Sequence, residues 1–196
     1  VSATANETEE LAAALEALVA EIPRRIGWEV AHAFAVDDGE LTSLPIWYPD
    51  PVGDERFESF RAATEETPFG PDEELVRAAA ESGRVQHLEA LQRNGAFQRR
   101  DAAGELRRGL AVPVLAGEEV VAVLEMFSVE EEPVSRALLE VAREVGVQLG
   151  RVAERERSLV RIRESRNLLR QLVEGVPDAM YLKDREGRFV LAHEYL

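Results

Sequence analysis

Two ionisable side chains stand where ionisable side chains are costly. His32 lies in the run Trp28 to Val36, where Trp28, Val30, Phe34 and Val36 share its parity, and Glu125 lies in Glu119 to Ser128, between Val123 and Phe127. Each sits mid-strand on a bulky apolar face, and a buried ionisable group requires a partner. The other histidines, His87 and His193, complete a set of three, none at metal-ligand spacing to another histidine or to a carboxylate cluster. The chain has no cysteine, which removes disulfides, thiolate metal sites, cysteine nucleophiles and thioether cofactor attachment together. It also lacks a glycine-rich phosphate loop. These residue types assemble no catalytic constellation; they point to a binding or structural pair.

Composition narrows the classes further. In 196 residues, 45% are hydrophobic and 31% charged, enough apolar matter for a packed core. The net charge of −15 repels phosphate backbones, so no nucleic-acid partner is expected. No apolar run approaches the ~18 residues of a membrane span, and Val1 to Glu10 is polar and acidic, unlike a signal peptide. A cytoplasmic location, with no membrane in this fragment, follows as the expectation.

The elements that must hold these residues are legible. Asn6 to Glu9 is a capping box, and Leu11, Leu15, Leu18 and Ile22 form an amphipathic stripe on a first helix ending near Pro23. Trp28 to Val36 reads as a strand with a bulky face and a small face of Ala31, Ala33 and Ala35 that lets a helix approach closely. Asp38-Gly39 turns the chain into a second strand, Leu41 to Tyr48. After a loop at Pro49 to Gly53, Glu55 to Glu66 is helical, Thr67 to Pro71 breaks the chain, and Asp72 caps a helix to Ser82 that Gly83 ends. Val85 to Leu88 is a short strand and Ala96 to Ala103 a helical turn. Arg108 to Leu115 and Glu119 to Ser128 form the clearest hairpin, with Pro113 requiring an edge or a bulge. Pro133 opens a long helical pattern reaching about Gly175.

This order predicts an α+β fold, an antiparallel central sheet flanked by helices with a long C-terminal coiled-coil helix. Residues 7–157 resemble a GAF domain of bacterial signalling proteins, through Gly27 to His32, Leu44 to Trp47, Arg108 to Val114 and Glu119 to Ser128. Residues 168–196 resemble the entry into a PAS domain: a helix end, a first strand from Asp178, a turn at Gly187 and a second strand. The resemblance implies domains at 1–132 (GAF core with its N-terminal helix), 133–175 (signalling coiled coil) and 176–196 (the first hairpin of a PAS domain). It implies a non-enzymatic sensory module that relays a signal through a homodimer to downstream PAS and effector domains of histidine kinase or diguanylate cyclase type.

In GAF folds the first strand lies beside the last, which would set His32 against Glu125. The resemblance places Trp47, Phe57, Phe60 and Phe97 around the same pocket, with Tyr48 and Phe69 nearby. His32, Trp47, Phe57, Phe60, Phe97 and Glu125 are the candidate ligand-binding residues, and a small molecule of unknown identity is the candidate ligand. Phe97-Gln98-Arg99-Arg100-Asp101 keeps half of the motif of cyclic-nucleotide GAF domains; Gly95 and Ala102 replace its lysine and glutamate, so it reads as a structural turn. Without cysteine, the methionine sulfoxide reductase branch and thioether-linked bilins are disfavoured. Two alternatives remain: a ligand-free dimerisation spacer, and a non-covalent tetrapyrrole or haem sensor using His32 or His87. A filled core between the sheet and the Glu55–Glu66 helix would favour the spacer.

A helix of about 40 residues spans roughly 60 Å, more than one small domain needs. Leu138, Ala142, Val145, Leu149 and Val152 step by four and three, continuing through Glu156 to Leu159; after a stammer-like break between Leu159 and Ile162 the pattern runs on through Arg166, Leu169, Val173 and Val176. The middle is basic, with Arg151, Arg155, Arg157, Arg161, Arg163, Arg166 and Arg170. The expectation is a parallel dimeric coiled coil; the alternative is a helix packed on its own sheet as far as Val152 and solvated beyond it.

Overall fold

The computed structural model describes residues 9–49, 56–66, 75–174 and 180–193. Asn6, Phe69, Asp72, Gly175, Val176, Asp178 and most of the Pro49–Gly53 loop lie outside the described residues. Contacts divide the chain into two units, 1–155 and 156–196.

In the first unit, α1 (Glu9–Ile26) leads to the hairpin β1 (Val30–Asp37) and β2 (Glu40–Tyr48), then α2 (Glu58–Glu66), α3 (Val76–Ser82), β3 (Gln86–Leu88) and the hairpin β4 (Arg108–Ala116) and β5 (Glu119–Ser128). The helix α4 (Arg136–Glu174) follows. The five strands pair antiparallel in the order β2-β1-β5-β4-β3. Sequence-distant β1 and β5 are thus central neighbours, flanked by the two hairpin partners.

Helix α1 runs past Pro23, where the sequence predicts its end. A proline lacks the N–H that would bond the carbonyl one turn earlier but can remain in the last turns of a helix, and its own carbonyl accepts from Trp28 N at 2.9 Å as part of the helix cap. Gly27, at φ 73, then makes the left-handed exit. Trp28 accordingly precedes β1 and packs with the α1 side of the sheet, not with Val30 and Phe34.

The sheet has two covered faces. On one, Leu15 and Val19 of α1 pack with Ala31, Ala33, Leu124, Met126 and with Ala142 and Leu149 of α4. The small face of β1 does admit a helix. On the other, Val30, Phe34, Val123 and Phe127 pack with Phe60 of α2 and with Val76 and Ala79 of α3. A bulge at Val114/Leu115 shifts the register, so Val121, not Val120, joins Ala122 and Leu124 on the α1 face. Pro113 sits beside that bulge, beyond the reach of β3, which pairs only with Gly109, Leu110 and Ala111. Its missing N–H therefore costs no ladder bond on that side.

The free side of β4 meets α4 closely. A Cβ on Gly146 would lie 2.6 Å from the Pro113 carbonyl oxygen, and one on Gly150 2.2 Å from that of Leu115. Two glycines one turn apart let the helix backbone rest on the strand and cover its edge. The stripe predicted to face a partner helix is therefore partly used within one chain. Ala142 and Leu149 are buried in the sheet core, and Leu138 and Val145 pack against it. The physical reason is that the alanine-rich sheet face needs an apolar cover, and four-three spacing serves a sheet as well as a second helix.

In the second unit, Leu159, Ile162, Leu168 and Leu169 of α4 are 41 to 58% exposed. A separate hairpin, β6 (Met180–Lys183) with β7 (Phe189–His193), pairs antiparallel. Its turn is tied by Asp184, whose Oδ1 accepts from the amides of Glu186 (3.0 Å) and Arg188 (2.8 Å), with Gly187 at φ 80.

Candidate functional site

The β1–β5 register sets His32 directly opposite Glu125. Both point to the face covered by α2, and His32 Nδ1 lies 3.3 Å from Glu125 Oε1 with neither side chain exposed. His32 Nε2 is 3.0 Å from both Ser43 Oγ and the Leu44 carbonyl oxygen on β2. Protonated, Nε2 donates to that carbonyl; unprotonated, it accepts from the hydroxyl. Trp47 stacks on the imidazole at 3.9 Å and Phe34 meets its edge at 4.4 Å.

The decisive member is one that the sequence reading passed over. Arg99 comes from the turn-rich stretch between the 3₁₀ turn Leu91–Arg93 and β4. Its Nη1 donates to Glu125 Oε1 and its Nη2 to Oε2, each at 2.7 Å, while Nη1 also donates to Thr64 Oγ1 at 2.9 Å. Thr64 in turn donates to the Phe60 carbonyl at 2.8 Å. The guanidinium lies 5.1 Å from the rings of Phe60 and Phe97 and 5.5 Å from that of Phe127, a cation held by three aromatic faces.

Burial pushes the Glu125 carboxyl up, but the charge and two hydrogen bonds of Arg99, with a smaller part from His32, more than offset it and hold Glu125 below the usual carboxylate range. It therefore stays ionised as the counter-charge to Arg99.

Of the six residues predicted to line a pocket, the structure brings His32, Trp47 and Glu125 into one contact chain and sets Phe60 and Phe97 around Arg99. Phe57 is buried in the same core, with the Arg56 guanidinium 4.9 Å above its ring. Tyr48 packs with the opposite face, and His87 is exposed on β3. The space between sheet and α2 is filled: Phe34, Phe60, Phe97, Phe127 and Arg99 are all at most 2% exposed. The signal that could have found Arg99 was the hydrogen-bond balance. A buried carboxylate has two oxygens to satisfy, more than one imidazole nitrogen supplies, and Arg99 stands two residues from the core aromatic Phe97.

With this sheet and its enclosed polar cluster established, comparison with known proteins is direct. The GAF domain family model matches residues 8–154. The chain belongs to the GAF domain family. Solved structures agree in fold at low identity. The blue-light absorbing form of the Thermosynechococcus elongatus PixJ GAF domain superposes with a TM-score of 0.62 at 18% identity, over 82% of this chain and 94% of that one. The type II free methionine-R-sulfoxide reductase of Thermoplasma acidophilum gives 0.59 at 11% identity, over 76% and 96%. A domain of a two-component sensor histidine kinase protein from Sinorhizobium meliloti gives 0.52 at 13%, over 78% and 93%. No curated protein matches the chain. As a GAF domain, this chain places its His32–Glu125–Arg99 cluster between the central sheet and α2.

Proposed function

We propose that this chain is the regulatory GAF module of a bacterial signal-transduction protein, and that its interior site is closed by its own arginine instead of an exchangeable ligand. The observation that carries this reading is the seating of Arg99: a guanidinium fully withdrawn from solvent, bonded to both oxygens of Glu125 and ringed by Phe60, Phe97 and Phe127. The side chains that a ligand would contact are engaged with one another. Among the readings open to the sequence, the ligand-free module gains over the small-molecule or haem sensor. We also read it as non-catalytic, because the resemblance ties the reductase branch of the family to cysteine, of which the chain has none.

Output then leaves through α4. The exposed Leu159, Ile162, Leu168 and Leu169 suit a homodimeric coiled coil in the second unit, leading toward a PAS domain whose first hairpin is β6–β7 and on to a kinase or cyclase effector. Native mass spectrometry of the purified chain tests both parts. A dimer with no co-purified small molecule is expected. A monomer at micromolar concentration, or a stoichiometric bound compound, overturns the corresponding half.

A further inference from the structure

A second feature lies away from the enclosed cluster, where α4 covers the free side of β4. There the first unit carries an open groove of about 780 Å³, within the volume range of small-molecule sites. Its rim carries Arg84 and His87 from the α3–β3 side and Arg143 and Arg151 from α4. Glu154 is the acid on that lining. In a chain of net charge −15 this is a local inversion of sign. Arg84, Arg143 and Arg151 are exposed, and among the described residues none of them is engaged in an ion pair. The glycines that bring α4 onto β4, Gly146 and Gly150, also line it. Leu115, Leu139 and Val147 supply apolar wall.

We infer that this groove binds a small organic anion carrying phosphate or carboxylate groups. Three guanidinium forks offer bidentate donors matched to those oxyanions. The apolar wall receives the body of the ligand. This goes beyond the regulatory reading, since the site is separate from the Arg99 cluster and would supply the module with an input that its filled interior does not take.

Isothermal titration calorimetry of the chain with naphthyl phosphate, pyrophosphate and citrate tests the inference and separates phosphate from carboxylate chemistry. At least one probe is expected to bind with a submillimolar dissociation constant and to weaken about tenfold when sodium chloride rises from roughly 50 to roughly 250 mM. The double variant Arg143→Glu/Arg151→Glu should lose at least about tenfold in affinity with its melting temperature kept, both residues being exposed. Arg136→Glu, on the same helix but outside the groove, should bind like the wild type. The inference is overturned if no probe binds with a dissociation constant below about 1 mM, if the double variant binds undiminished, or if Arg136→Glu loses as much as the double variant.

Discussion

Arg99 and Glu125 meet fork to fork, two parallel N–H···O bonds of 2.7 Å each, with both side chains at zero exposure. A pair this deep is worth little against an apolar replacement but much against the loss of one member. Arg99→Ala would strand a buried carboxylate and empty an aromatic cage, and should cost about 3–5 kcal/mol in urea unfolding. Arg99→Met combined with Glu125→Leu should recover most of that loss. Guanidinium at roughly 10 mM, far below denaturing concentrations, should raise the melting temperature of Arg99→Ala and not that of the wild type. A mild Arg99→Ala phenotype would mean that the pair does not close the site.

Acid should act through the same carboxylate. Glu125 titrates below its ordinary value of 4.5 in the folded chain, so it contributes stability above that value, and the contribution disappears as pH falls through the depressed folded one. The stability difference between wild type and Glu125→Gln, from urea unfolding at a series of pH values, should be level near neutrality. It should shrink on acidification below about 4.5. A difference that grew on acidification would contradict the ion pair.

The contact between α4 and β4 predicts a strong response to one methyl group. Gly150→Ala would place Cβ 2.2 Å from the Leu115 carbonyl oxygen, backbone that cannot swing aside. Alanine favours a helix over glycine by about 1 kcal/mol, yet lifting the helix should cost more, a net loss of about 1–3 kcal/mol. Gly95→Ala, whose Cβ would come no closer than 3.9 Å to Arg100, should be nearly neutral by the same thermal melt.

Ile162→Asp and Leu169→Asp test the proposed dimer seam separately from folding. Both positions are more than half exposed within one chain. Each should leave the melting of the first unit within about 0.5 kcal/mol of wild type while shifting sedimentation from dimer to monomer. Unchanged sedimentation would place any dimer contact elsewhere.

The helical stripes, the two hairpins and the Gly83 stop were readable from residue order, because periodicity, turn chemistry and strand parity are local properties; the opposition of His32 and Glu125, 93 residues apart, came from the resemblance to GAF folds. The stripe Leu138 to Leu149 was equally readable, but its partner was not. Leucines at four-three spacing suit a sheet or a second helix alike, and only the two glycines resting on Pro113 and Leu115 decide for the sheet. Arg99 marks the other boundary. In Gln98-Arg99-Arg100 the chain offers two arginines side by side, and one is buried while its neighbour is exposed. That choice depends on where a turn-rich segment lands against a strand 26 residues later. Sequence by itself settled which groups needed partners; the tertiary structure alone chose the cation, because long-range burial, not local pattern, sets which charge can be satisfied.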